Sequence, residues 1–209
     1  MDFQLTADQR ELQQAARRFA RAELPDLARE MEEKDFSVPP EMMRRYGEMG
    51  FLGVNLPAEY GGLGLGHLEA LLVLEEFAQV SNAVAFPVFE ALVGPVRAIE
   101  RFGPQEMKAR VIPQVVAGEA TVAVSMSEPD AGTALTDLAT RAVDAGDHYV
   151  VTGTKRWTSG AGHAQYYVTY CRLSDDPGAK GIGAVLVEKG MAGVGFGARE
   201  PLMGFRGIE

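Results

Sequence analysis

Cysteine is almost missing from this chain. Of its 209 residues one is a cysteine, Cys171, so no disulfide can close within it. That suits a reducing compartment. Cys171 ends the apolar run Tyr166-Tyr-Val-Thr-Tyr-Cys171, where a cysteine reads as a small core residue of a strand and not as a nucleophile. Positive charge is also scarce: 20 Lys and Arg face 29 Asp and Glu, for a formal net charge of −9. A protein that binds nucleic acid through its phosphates needs a basic face, so that class of partner is excluded. Arg17, Arg18 and Arg21 form the densest basic patch and read as the solvated face of a first helix. Backbone amides can still hold an anion without net positive charge. The N-terminus has no continuous apolar stretch and no cleavage signature, and no run reads as long and apolar enough to span a bilayer. The expectation is a cytoplasmic protein with no membrane partner. His67, His148 and His163 lie far apart, without metal-ligand spacing, so no metal is expected, and no Ser–His–Asp arrangement can be argued.

What is present is ordinary for a globular protein that buries a core: 46% hydrophobic and 23% charged residues. The length allows one large domain or two small ones. The pattern changes near residue 119. Before it, apolar residues recur at helical spacing. Thr6-Ala-Asp-Gln9 is a capping-box pattern, and Leu5, Leu12, Ala16, Phe19 and Ala20 mark one face of the helix it opens. Pro25, Pro39 and Pro40 suit later helix starts, and Gly50 suits a helix end. After residue 119 the apolar residues come in short β-branched runs. Candidate strands are Ala120–Met126, Leu138–Val143, Tyr149–Thr158, Tyr166–Arg172, Ile182–Val187 and Val194–Pro201. They follow one another without intervening helices, which predicts mainly antiparallel pairing and not a doubly wound parallel sheet. The fold class expected is therefore α+β and multi-domain: a helical domain over residues 1–119, then a β domain over 120–209.

Four glycine-rich segments invite a ligand. Gly61-Gly-Leu-Gly-Leu-Gly66 lacks the Walker lysine and follows no clear strand, so it reads as a helix-connecting loop. Gly193-Val-Gly-Phe-Gly197 reads as a bend in a strand. Ser125-Met-Ser-Glu-Pro-Asp-Ala-Gly-Thr133 directly follows an apolar strand and can point several N–H and O–H donors at one ligand; the residues alone allow a plain turn as readily as a site. Gly153-Thr-Lys-Arg-Trp-Thr-Ser-Gly-Ala-Gly162 carries the only tryptophan beside two hydroxyls. That ring can pack on a flat aromatic cofactor or can anchor the β core, and the residues leave both open.

Taken together, Ser127-Glu-Pro-Asp-Ala-Gly-Thr133 and Lys155-Arg-Trp-Thr-Ser-Gly160 resemble the flavin-binding signatures of the acyl-CoA dehydrogenase family. Leu56-Pro-Ala-Glu-Tyr-Gly-Gly-Leu-Gly-Leu65, Phe102-Gly-Pro-Gln-Glu-Met-Lys108 and Leu202-Met-Gly-Phe-Arg-Gly207 are similar to further family segments, in the same order. The resemblance covers the whole chain. It departs from the common wording at Asp130, Thr133 and Ala134 and over Thr158-Ser159-Gly160, while keeping the hydroxyls.

The resemblance implies a helical domain, a middle β domain and a C-terminal helical domain, the third beyond this chain. It implies FAD as cofactor, with Val124, Met126, Ser127, Gly132, Thr133, Trp157, Thr158 and Ser159 along it: Trp157 against the isoalloxazine, Ser159 near its N5. It places Ser125 and Thr133 toward the acyl-CoA substrate and Glu90 near the floor of the acyl pocket. The implied reaction removes the α-proton of a thioester with a carboxylate and passes the β-hydride to flavin. The family's carboxylate comes from the C-terminal domain, so no catalytic base is expected within residues 1–209, and this stretch alone is expected to be inactive. Glu128 belongs to the loop motif and reads as structural. The implied partners are an electron-transferring flavoprotein or another acceptor, and a homodimer or homotetramer, or a second chain that supplies the missing domain. The alternatives within this fold are a relative with other chemistry, such as a CoA-thioester desulfinase or a nitroalkane oxidase, and a non-catalytic subunit.

Overall fold

The structure, a computed structural model, describes residues 4–208. The chain divides into two compact units, Met1–Thr121 with Ala198–Glu209, and Val122–Gly197.

Among the described residues the first unit holds seven α-helices: α1 (Ala7–Glu23), α2 (Pro25–Lys34), α3 (Pro40–Glu48), α4 (His67–Ala78), α5 (Asn82–Leu92), α6 (Pro95–Phe102) and α7 (Gln105–Val116). The capping box at the start of α1 is formed. The Gln9 amide donates to the Thr6 hydroxyl at 3.2 Å, and Gln9 Oε1 accepts from the Thr6 amide at 2.9 Å. Proline opens α2, α3 and α6, where its missing N–H costs nothing. The core is aromatic: Phe19, Tyr46, Phe51 and Phe77 contact one another with ring centroids 5.1–5.8 Å apart. Arg17 differs from its expected solvated role. Its guanidinium grips the buried Glu76 carboxylate with two bonds, 2.9 and 2.7 Å, and joins α1 to α4. By length and apolarity alone Asn82–Phe102 would suffice to cross a membrane, contrary to the expectation that no run would. Here it is interrupted at Val93 and Gly94 and divided into α5 and α6, and α5 contributes Val84, Val88 and Leu92 to the core. The glycine loop at 61–66 connects helices, and its amides are spent within the chain. Leu63, Gly64 and Leu65 N–H donate to the carbonyls of Gly53, Leu56 and Val54 at 2.8–2.9 Å, leaving no cradle for a phosphate.

The segment from residue 198 onward packs with this unit. Arg199 meets Asp35 at 3.7 Å, and the Gly207 amide donates to Asp35 Oδ1 at 3.1 Å. The Arg206 amide donates to Glu32 Oε2 at 3.2 Å, and Phe205 packs edge-on against Phe86 at 5.6 Å. The contacts bind the segment to the end of α2 and to α5.

The second unit is a mixed sheet of β1 (Val122–Ser125), β2 (Arg141–Asp144), β3 (Tyr149–Thr152), β4 (Tyr166–Arg172) and β5 (Ile182–Glu188). Strand β4 is its hub. It pairs antiparallel with the whole of β5, parallel with β1 from Val122↔Tyr166 to Ser125↔Thr169, and parallel with β2 at Arg141↔Arg172. Strands β2 and β3 form an antiparallel hairpin. The sheet is mainly antiparallel, as expected, with two parallel pairings that the strand order did not announce. A parallel pair needs a long return connection, normally a helix, and here residues 126–165 supply one from loops and the β2–β3 hairpin. The strand expected at Val194–Pro201 does not form. Glycines at 193, 195 and 197 weaken it, Phe196 instead packs on Tyr167 at 5.4 Å, and the chain then leaves for the helical unit. Cys171 is fully buried in β4, and burial pushes its thiol up, as befits a core cysteine.

Candidate functional site

Strand β1 ends at Ser125, and the chain then runs as a loop to β2. A second loop, 153–165, links β3 to β4. The first draws its position from β1 and the second from the ends of its flanking strands. They are fastened to each other within the β unit. The Arg156 amide donates to the Ser127 carbonyl at 2.8 Å. Lys155 Nζ donates to the Met126 carbonyl at 3.0 Å and to Glu128 Oε1 at 2.8 Å. The Thr158 hydroxyl donates to Ser125 Oγ at 3.2 Å.

Glu128 is the hub of this fastening. Besides Lys155, its carboxylate accepts the Thr140 amide at 2.9 Å and the Ala139 amide at 2.6 Å. Its side chain is 7% exposed and that of Lys155 12%. Burial works against the charge, but the Lys155 ammonium and the two amides outweigh it and hold the carboxyl at about 2. With its oxygens committed to these donors, Glu128 is a structural anion and not a proton acceptor. Arg172, at the end of β4, supports the same loop: its guanidinium donates to the carbonyls of Thr136 and Leu138, and its amide to that of Thr140.

The residues named from sequence fall out as follows. Val124, Ser125, Met126 and Ser127 lie at the strand end and the start of the loop, with Ser125 buried and the other three half-buried. Thr158 and Ser159 are half-buried on the opposing loop. These two groups are brought together. Gly132 and Thr133 lie farther along the first loop and are exposed. Glu90 belongs to the other compact unit, on α5. It is buried there, and burial pushes its carboxyl well above the usual carboxylate range. Sequence reasoning missed Arg156 and Arg172. For Arg156 the available signal was its place beside the tryptophan; for Arg172 there was none, because its targets lie 34 and 36 residues away.

Trp157 settles as an exposed ring and not as a core anchor. It is 66% exposed, and its backbone has φ 58°. A bulky residue rarely adopts this left-handed conformation, and it persists where its surroundings over-determine it. Here Arg156 N–H and Thr158 Oγ, bound to the first loop on either side, do so. The Arg156 guanidinium sits over the indole with its central carbon 4.8 Å from the ring centroid. An exposed flat ring on a loop that also carries the hydroxyls of Thr158 and Ser159 fits a flat aromatic ring system such as a flavin. Among the described residues no group of His, Cys, Asp and Glu is arranged to hold a metal ion.

Comparison with known proteins agrees in both halves. The sequence model "Acyl-CoA dehydrogenase, N-terminal domain" matches residues 6–119, and "Acyl-CoA dehydrogenase, middle domain" matches 123–209. Mitochondrial isovaleryl-CoA dehydrogenase of Pongo abelii is 32% identical over 97% of this chain and 49% of its own length. The 3-sulfinopropanoyl-CoA desulfinase of Advenella mimigardefordensis is 34% identical over 99% of this chain and 52% of its own. The solved FAD complex of PigA superposes with a TM-score of 0.89 at 27% identity, over 97% of this chain and 53% of that one. The chain thus spans about half the length of the curated relatives it matches.

Proposed function

This chain belongs to the acyl-CoA dehydrogenase family, and on that premise we propose that the complete protein is an FAD-dependent oxidoreductase that introduces an α,β double bond into an acyl-CoA thioester. The observation that carries the proposal is the pair of interlocked loops, 125–128 and 155–159, which present Trp157 to solvent in a strained backbone conformation. FAD, when bound there, supplies the acceptor for the hydride that leaves the β-carbon.

The chain's own residues bind and orient. Trp157 offers a face for the isoalloxazine. Met126, Ser127 and Ser159 line its edge with a thioether, amides and hydroxyls. Val124 offers an apolar surface at the strand end, Gly132 leaves room for close approach, and Thr133 serves the phosphates and the CoA. Ser125, tied to Thr158, faces the thioester. Glu90, buried and with its carboxyl pushed up by that burial, is assigned to the acyl chain. The base that removes the α-proton is assigned outside residues 1–209, since Glu128 is committed to its clamp. Residues 1–209 alone are accordingly expected not to oxidise a thioester, a loss of general-base catalysis typically worth about 10²–10⁴-fold in rate. The reading extends to an electron-transferring flavoprotein or other acceptor as redox partner, a homodimer, a homotetramer or a second chain completing the site, and a cytoplasmic location.

The test is an FAD titration of the complete protein followed by flavin fluorescence, then anaerobic addition of acyl-CoA thioesters followed by bleaching of the flavin absorbance. Trp157→Ala is expected to weaken FAD binding. Failure of the complete protein to bind FAD at saturation would refute the proposal. One second reading is favoured by a specific observation. The 34% identity to a 3-sulfinopropanoyl-CoA desulfinase supports C–S cleavage of a sulfino-acyl-CoA thioester as that reading, and release of sulfite without flavin bleaching would identify it.

A further inference from the structure

We propose that Arg156 is a positioning residue of the flavin site, which covers one face of the Trp157 indole so that the ring presents a single open face backed by a fixed positive charge. This rests on the reading that the protein binds FAD.

Three observations support it. The guanidinium carbon stands 4.8 Å from the indole centroid, inside the range of a cation–π contact. The backbone of Arg156 is itself held, its N–H bonded to the Ser127 carbonyl at 2.8 Å, so the side chain starts from a fixed point. And the charge is uncompensated. The adjacent Lys155 is neutralised by Glu128 at 2.8 Å, while Arg156 has no carboxylate partner among the described residues. An arginine suits this place better than a lysine, because its planar, weakly hydrated cation lies flat on an aromatic face.

Two consequences follow. An exposed indole left bare on both faces would sample several orientations; capped on one face, it loses less freedom when a flat ring settles on the other. A cation on the far side of the indole also lowers the cost of placing negative charge on that ring, so the bound flavin should be easier to reduce.

The experiment uses the complete protein and the variants Arg156→Met, Arg156→Lys, Trp157→Leu and the Arg156→Met/Trp157→Leu double variant, each checked for folding by circular dichroism. Trp157 is the only tryptophan in residues 1–209, and where the rest of the protein adds others, replacing those by Phe isolates its signal. In flavin-free protein, Arg156→Met is expected to steepen acrylamide quenching of Trp157 fluorescence, with Arg156→Lys between it and the wild type. In FAD titrations Arg156→Met is expected to weaken binding about two- to fivefold and to lower the flavin reduction potential. In the Trp157→Leu background the same substitution should leave FAD affinity unchanged, because its partner is gone. Unchanged quenching in Arg156→Met, with FAD still bound, would overturn this proposal and spare the function. An equal loss of affinity in the Trp157→Leu background would overturn it too, by showing that Arg156 acts on FAD directly. No FAD binding by the wild-type protein would overturn both.

Discussion

Glu128→Gln should cost this protein more stability than its conservative size suggests. The native carboxyl is held at about 2 against an ordinary value of 4.5. At about 1.4 kcal/mol for each pH unit, that difference is about 3 kcal/mol of folding stability at neutral pH. The sign is that of a depressed acid. The contribution is complete above about 4.5, where the unfolded chain is also ionised, and it is lost as pH falls through about 2. Glutamine keeps one acceptor but turns an N–H₂ group toward donors. Lys155 Nζ and the amides of Ala139 and Thr140 then compete for one oxygen, and a lysine 12% exposed loses its counter-charge. Breaking one partner of a buried pair costs about 3–5 kcal/mol in general, so the two estimates agree. For a chain of this size that is a drop in Tm of roughly 6–12 °C. The assay is urea unfolding followed by circular dichroism, wild type against variant, at steps from pH 7 down to pH 3. The gap should hold steady to about pH 4.5 and narrow below it. A variant within about 0.5 kcal/mol of wild type at pH 7, or a gap that does not narrow on acidification, would refute the clamp.

Other perturbations follow the same logic. Glu76→Ala removes the carboxylate that Arg17 grips in the helical unit and empties a buried site, while the half-exposed Arg17 can turn to water, so urea unfolding should show a loss of about 1.5–3 kcal/mol. Glu90→Gln should do the reverse at high pH: a buried acid whose carboxyl is pushed up stabilises the fold when protonated and loses that stability as pH rises. The variant should therefore match wild type near pH 4 and exceed it at pH 8, and equal stability at pH 8 would count against a desolvated Glu90. Gly207→Ala places a methyl 2.7 Å from both Met31 Cε and the Phe36 carbonyl, at φ 89°. Hydrogen exchange of residues 198–208 should accelerate while the strands stay protected, and an unchanged segment would mean that it tolerates the clash.

How much of this was legible in the sequence follows from how far each signal reaches along the chain. Thr6 and Gln9 are three residues apart, and a capping box can be read directly from such a spacing. The change from helix to strand near residue 119 is a change of period, also local, and the flavin-loop wording is a run of adjacent residues. Strand direction was not legible: β1 pairs parallel with β4 across residues 126–165, and nothing in either strand states its partner. The run at Val194–Pro201 looked like a strand because its apolar pattern is local, yet a strand needs an edge to join, and Phe196 and Arg199 found other partners. The role of Glu128 depends on a lysine 27 residues away and two amides 11 and 12 residues away converging on one carboxylate. The helical and β halves, the caps and the residues of the two loops can be read along the chain, because each depends on near neighbours. That Glu128 is a clamp, that Trp157 is exposed under Arg156, and that the last segment returns to α2 could not be read there, because each depends on groups that meet only after the chain has folded.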